Sequence, residues 1–276
     1  MGTTSNWRDV DGDPNARANI LARDAVLQRA FVAEHRSREE IIVGLCRGAK
    51  VLDVGCVDHQ AGNVGTDRWL HGLIATAASE CLGVDLDQPG VDAMQHAGFD
   101  AMCVDITADR AALFERGPFD VVVAGEVIEH LGNPEALLRA AGELLRPGGK
   151  LVVTTPNPFA PWRAWAGMRR QTWENVDHVL LLFPSGMAEL AERCGLTLTT
   201  ATTVGGYRLF MRFPGAFRVL AGMWARALLR RPDGDPGPWG VAAPAGYVNP
   251  VVAYVIHRLA PLGQLNETAL YVLERE

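Results

Sequence analysis

The stretch Phe119-Asp120-Val121-Val122-Val123-Ala124-Gly125-Glu126-Val127-Ile128-Glu129-His130 decides the reading of this chain. Its first half is a short, valine-rich apolar run of the kind that forms buried strands. Its second half sets two carboxylates and an imidazole at spacing i, i+3, i+4. If a helical turn opens at Glu126, Glu126, Glu129 and His130 point into one space. Two oxygen donors and one nitrogen there have the makings of a divalent-metal site, at the strand end where open α/β sheets bind ligands. Upstream, Val51-Leu52-Asp53-Val54-Gly55 reads as a second strand closed by a glycine. The expectation is an enzyme that holds a nucleoside-like cofactor beside a metal.

Working outward, further apolar runs at 81–85, 100–105 and 150–155 alternate with helix-like segments at 68–79, 89–97, 108–116 and 134–145. Asn133-Pro134 supplies an N-cap followed by proline at the first helical position. Arg146-Pro147-Gly148-Gly149 reads as a helix stop with a strand directly behind it. Residues 184–194 read as another helix, 196–203 as a sixth strand and 268–273 as a seventh. This order predicts an α/β fold: a doubly wound, Rossmann-like, seven-stranded sheet. Residues 1–46 form an N-terminal helical extension with one or two helices in 14–46. Residues 47–276 form the main domain. Within it, 204–267 is an insertion before the last strand, with helices expected at 214–231 and 251–259; with 156–178 it is the expected acceptor pocket over the sheet's C-terminal edge.

Composition narrows the partners. The 276 residues are 48% hydrophobic, with a formal net charge of −6 and only two lysines, Lys50 and Lys150. A net acidic chain argues against nucleic acid and anionic membranes. The five cysteines, Cys46, Cys56, Cys81, Cys103 and Cys194, are odd in number and sit mostly in apolar runs, as free thiols in a reducing compartment do. The first residues are polar and no apolar run reaches the roughly 18 residues of a membrane helix, so the expected compartment is the cytoplasm, without integral membrane contact. Homo-oligomers are left open.

The turn after the first strand, Asp53-Val54-Gly55-Cys56-Val57-Asp58-His59, has one glycine where a dinucleotide fingerprint has three, which disfavours a pyrophosphate. Asp85 ends the second strand, placed to accept from two ribose hydroxyls, and Asp105 ends the third, placed to accept from an adenine amino group. Each alone reads equally well as a loop cap; the ordered series carries the argument. Over about residues 48–200 the chain resembles the class I S-adenosylmethionine-dependent methyltransferases. The resemblance lies in residues 51–56, in Gly83-Val84-Asp85-Leu86-Asp87, and in Arg146-Pro147-Gly148-Gly149 followed by Thr154-Thr155-Pro156-Asn157. Val57 and His59 depart from the family's glycine loop. The resemblance implies a sheet whose last strand runs antiparallel, S-adenosylmethionine (SAM) as cofactor, and Asp53, Gly55, Asp85, Leu86, Asp105, Ile106 and Gly125 as its contacts.

Within that class the ubiquinone-biosynthesis O-methyltransferases have a similar Glu-x-x-Glu-His after the fourth strand. So do the small-RNA 3′-terminal 2′-O-methyltransferases, which add a later histidine. The resemblance implies divalent-cation ligands, Mg²⁺ or Mn²⁺, at Glu126, Glu129 and His130, with His178 as the later histidine. The other reading keeps Glu126 for the cofactor and makes Glu129 and His130 an acid and general base without metal. His59 reads as a loop hydrogen-bonding residue and His71 as a packing or surface residue; His35, His96 and His257 carry no signal. The aromatic and basic segment 161–173 fits either a sugar-stacking surface or a packed lid.

The expected activity is O-methylation of a small molecule with neighbouring oxygens, a sugar or glycosylated metabolite before a catechol. A cation bound to both oxygens would acidify one, with Glu129 and His130 as the catalytic pair. A nicotinamide oxidoreductase shares the fold but needs the missing glycines and a Tyr-x-x-x-Lys that is absent. A non-catalytic SAM-binding protein would have no use for the Glu-x-x-Glu-His residues.

Overall fold

The computed structural model describes residues 11–34, 36–57, 66, 69–160, 163, 167, 170, 174–204 and 266–276. The insertion helices expected at 214–231 and 251–259, His35, His59, His257 and most of 161–173 lie outside the described residues. Helices α1 (Arg17–Ala30) and α2 (Arg38–Cys46) precede β1 (Lys50–Val54). There follow α3 (Leu70–Ala77), β2 (Glu80–Asp85), α4 (Gln88–His96), β3 (Ala101–Cys103), α5 (Ala111–Arg116) and β4 (Phe119–Gly125). A 3₁₀ turn (Ile128–His130), α6 (Pro134–Leu144), β5 (Leu145–Pro156), α7 (Pro184–Arg193), β6 (Leu196–Val204) and β7 (Thr268–Arg275) complete the order.

The seven strands form one sheet in the order β3-β2-β1-β4-β5-β7-β6, with β7 antiparallel to both neighbours. The strand residues alternate between two cores, as a pleated sheet covered on both faces requires. Leu52, Val54, Val122, Ala124, Leu151, Val153, Tyr271 and Leu273 face α6 and α7. Val51, Val121, Val123, Val152, Leu270 and Val272 face α2 and α3. Asn133 caps α6 by accepting from the Ala136 N–H, with Pro134 at the helix start. At α2, Ser37 and Glu40 form a reciprocal capping box, a signal the sequence reading passed over.

One boundary differs. Arg146-Pro147-Gly148-Gly149 does not separate helix from strand: β5 already begins at Leu145. Leu145 pairs with Phe119 and Lys150 with Val121, so five steps on β5 face two on β4. Gly148 sits at φ 72°, and a side chain on Gly149 would meet the Arg146 carbonyl at 2.8 Å. The breakers make a bulge that lets the strand continue.

Because β1 leads outward to β2 and β3 while β4 lies on its other side, the crevice at the strand ends falls between β1 and β4. Among the described residues no helix is long and apolar enough to cross a membrane.

Candidate active site

Gly55 opens the turn directly after β1 at φ 73°, and a Cβ there would lie 2.5 Å from Val127 Cγ2. Only glycine both adopts that conformation freely and admits the β4 loop so closely. The next turn is pinned from beneath, where the buried Trp69 donates its indole N–H to the Cys56 carbonyl at 3.0 Å. Asp85 Oδ2 accepts from the Val57 N–H (2.9 Å) and Oδ1 from the Asp87 N–H (3.0 Å). Asp85 therefore fixes the first loop as well as ending its own strand. Leu86 beside it is 69% exposed, an apolar surface at the edge. Asp105 does not end the third strand as expected: β3 stops at Cys103, and Asp105 stands two residues on, where its Oδ1 accepts from both the backbone and the hydroxyl of Thr107 in a local turn.

Besides Gly55, three of the expected cofactor residues do not offer side chains to this edge. Ile106 packs into the main core. Gly125 has no side chain, and a Cβ there would meet Leu70 at 3.3 Å. Asp53 is buried, its Oδ2 lying 2.9 Å from Nδ1 of the equally buried His71. Asp53 is thus engaged with α3 beneath the sheet edge. The pairing escaped the sequence reading because nothing in a lone histidine on a helix marks its partner on a strand. Gly83 makes room for it, since a Cβ there would fall 2.8 Å from the His71 ring.

After β4 the chain departs from the regular helical turn that the spacing predicts. Glu126 takes a left-handed conformation, φ 58°, unusual for a residue with a side chain. The turn proper covers only Ile128–His130. Glu126 is consequently aimed elsewhere: its Oε1 lies 3.4 Å from Arg38 of α2 and accepts from the Thr268 hydroxyl of β7 at 3.2 Å. Glu129 and His130 instead meet His178, with ligand-type atoms of the three all within 4.8 Å of one another. His178 is delivered by the segment following β5, which is tied down where the Val179 N–H donates to the Glu129 carbonyl at 2.9 Å.

Glu129 is 0% exposed, and neither carboxylate oxygen has a hydrogen-bond partner among the described residues. Burial pushes its carboxyl up to about 7, and the Glu126 charge adds to the rise. Its own backbone N–H, the Thr155 hydroxyl and the Arg38 charge oppose that rise without cancelling it, and a buried acid with so raised a pKa beside two imidazoles marks a functional-site candidate. His130 Nδ1 lies 3.1 Å from Asp177 Oδ2, and the His130 and His178 rings stand edge to face, 4.8 Å between centroids.

A protein-family model described as a methyltransferase domain matches residues 24–201. The chain belongs to this methyltransferase family. The enzyme is a SAM-dependent methyltransferase. A ubiquinone biosynthesis O-methyltransferase of Escherichia coli O157:H7 is 30% identical over 188 residues, covering 66% of this chain and 67% of that protein. One from Chromobacterium violaceum is 28% identical over 211 residues, covering 72% and 81%. Among solved structures, a SAM-dependent methyltransferase from Archaeoglobus fulgidus superposes with a TM-score of 0.53 at 14% identity, over 92% of this chain and 94% of that one. That likeness is of fold. In this methyltransferase, replacing Asp85 by alanine removes an acceptor and frees the Val57 turn. Titration calorimetry should show SAM binding weakened by roughly 1.5–3 kcal/mol, the value of a hydrogen bond to a charged group. Unchanged affinity would refute the ribose role.

Proposed function

We propose that this methyltransferase is an O-methyltransferase assisted by a divalent cation, acting on a small acceptor with two neighbouring oxygens, a sugar or glycosylated metabolite before a catechol. The observation that supports a cation is the buried, unpartnered Glu129 carboxylate set against two imidazoles. One oxygen and two nitrogen donors suit Mn²⁺, Fe²⁺ or Zn²⁺ as well as Mg²⁺. Glu129, His130 and His178 are the residues that would hold it, while Glu126 is engaged by Arg38 and Thr268. When bound, the cation would lower the pKa of an acceptor hydroxyl. The relatives' name as O-methyltransferases supports oxygen as the atom methylated.

Methyl transfer from a sulfonium is an in-line displacement, so alignment is what the chain must supply. Gly55, Asp85 and Asp105 fix the cofactor at or just past the ends of β1 to β3. Glu129 and His130, at the end of β4, meet the acceptor from the neighbouring strand. With a cation on His130, the proton that the acidified hydroxyl loses would pass to solvent, since the ring's one lone pair would be on the metal. The 3.1 Å contact with Asp177 also supports a second reading, in which His130 serves as general base with no metal.

Chelation decides between them. Dialysis against EDTA should abolish turnover, and Mg²⁺ or Mn²⁺ should restore it, with S-adenosylhomocysteine release as readout over a panel of labelled acceptors. Acceptors lacking the neighbouring hydroxyl should turn over poorly. Full activity in metal-free enzyme would leave His130 as the base and remove the cation.

A further inference from the structure

We infer that Asp177 and Glu174 are positioning residues, each approaching one histidine at Nδ1 so that His130 and His178 present Nε2 beside Glu129. The inference rests on the metal reading for what those nitrogens bind, not for which nitrogen is presented.

The two carboxylates come from one short segment yet meet different rings. Asp177 Oδ2 stands 3.1 Å from His130 Nδ1, and Glu174 Oε2 stands 3.5 Å from His178 Nδ1. The first is a hydrogen-bond distance. The second is an ion-pair contact without hydrogen-bond geometry, since the buried His178 Nδ1 has no hydrogen-bond partner among the described residues; a short shift of the ring or the carboxylate is what would close it. Glu174 is itself braced. Arg163 engages both of its carboxylate oxygens through two guanidinium nitrogens and donates with the third to the Asn157 carbonyl just past β5. The side chain of Arg163 is 12% exposed, which separates this pair from the solvated surface pairs that contribute little. The segment is anchored again by the Val179 N–H on the Glu129 carbonyl and by the His178 N–H on the Asn175 carbonyl.

An imidazole held by a carboxylate at Nδ1 keeps its proton there and offers the Nε2 lone pair. Without such partners, two rings 4.8 Å apart could each turn over, exchanging donor for acceptor. Fixing both rings is what converts a buried carboxylate and two histidines into a set with defined donor atoms.

The test uses the full-length protein in two measurements. Binding of Mn²⁺ alone, followed by electron paramagnetic resonance, should weaken about 10–100-fold in Asp177→Ala and in Glu174→Ala, the range for removing a carboxylate behind a metal-bound histidine. Asp177→Asn keeps an oxygen that accepts from Nδ1 and should lose less. S-adenosylhomocysteine affinity should not change in any of them, which a folding defect would not permit. Nitrogen-15 spectra of the metal-free protein should show His130 and His178 protonated on Nδ1 in the wild type, with His130 becoming a tautomer mixture in Asp177→Ala. Wild-type Mn²⁺ affinity in Asp177→Ala, or Nε2-protonated rings in the wild type, overturns the inference. A wild type that binds no Mn²⁺ but keeps the Nδ1 tautomers defeats the cation alone and supports Asp177 as the group that orients His130 as base.

Discussion

Replacing Glu129 by alanine should lower turnover roughly 10²–10³-fold while leaving SAM affinity within about twofold. The first figure follows from several kcal/mol of transition-state charge stabilisation at about 1.4 kcal/mol per tenfold. The second follows because Glu129 shares no hydrogen-bond partner with Asp85 or Asp105, and substitutions without shared partners add to within about 0.5 kcal/mol. Single-turnover rates with calorimetric cofactor binding separate the two quantities. A parallel loss of both would mean that the substitution had disturbed the crevice between β1 and β4. Loss of neither would take Glu129 out of the chemistry.

The same carboxylate should make metal-free enzyme less stable as pH rises. In the unfolded chain Glu129 ionises near its ordinary value of 4.5, whereas burial holds it protonated up to about 7 in the fold. Below pH 4.5 both states carry the proton and the group has no effect. Between 4.5 and 7 the unfolded state releases its proton first, and stability falls. Above 7 the folded state carries an ionised, unpartnered acid, at a penalty of about 3 kcal/mol for the whole interval. Glu129→Gln has the same shape and no charge. In EDTA it should therefore match the wild type near pH 4.5 and melt roughly 5–10 °C higher at pH 8. Saturating Mn²⁺ should narrow or reverse the gap, because the carboxylate wild type gains more from binding than the neutral amide. A pH-independent gap between the two proteins would show that Glu129 is not held neutral by burial.

The fold was largely legible because each strand announces itself locally. Val121 to Ala124 and Leu151 to Val153 are apolar on both faces, as strands sandwiched between helices must be, and Asn133-Pro134 marks a helix start by its own chemistry. The bulge at residues 146–149 was not legible, because the same proline and glycines terminate a helix or kink a strand according to what lies alongside. At the site, Glu129 and His130 could be paired from spacing, but Glu126 could not be separated from them. Its left-handed backbone turns it toward Arg38 and Thr268, two partners too remote in sequence to enter a helical-spacing argument. His71 with Asp53, and Asp177 with His130, join residues 18 and 47 positions apart, and sequence spacing carries no trace of such contacts.

The pairing of Val204 with Thr268 at the site end of β6 and β7 has a corollary. A peptide spliced between those two residues departs and returns at adjoining points, so the sheet is indifferent to its length; doubling such a loop adds only about 0.6 kcal/mol of closure entropy. Pro156 meets the same Thr268, which sets that splice beside the end of β5 and the start of the His178 segment. A segment of another length or sequence can then be exchanged there with the strand register and the Glu129 cluster left in place. Grafting a relative's segment between Val204 and Thr268 should accordingly leave SAM affinity unchanged, which calorimetry would check.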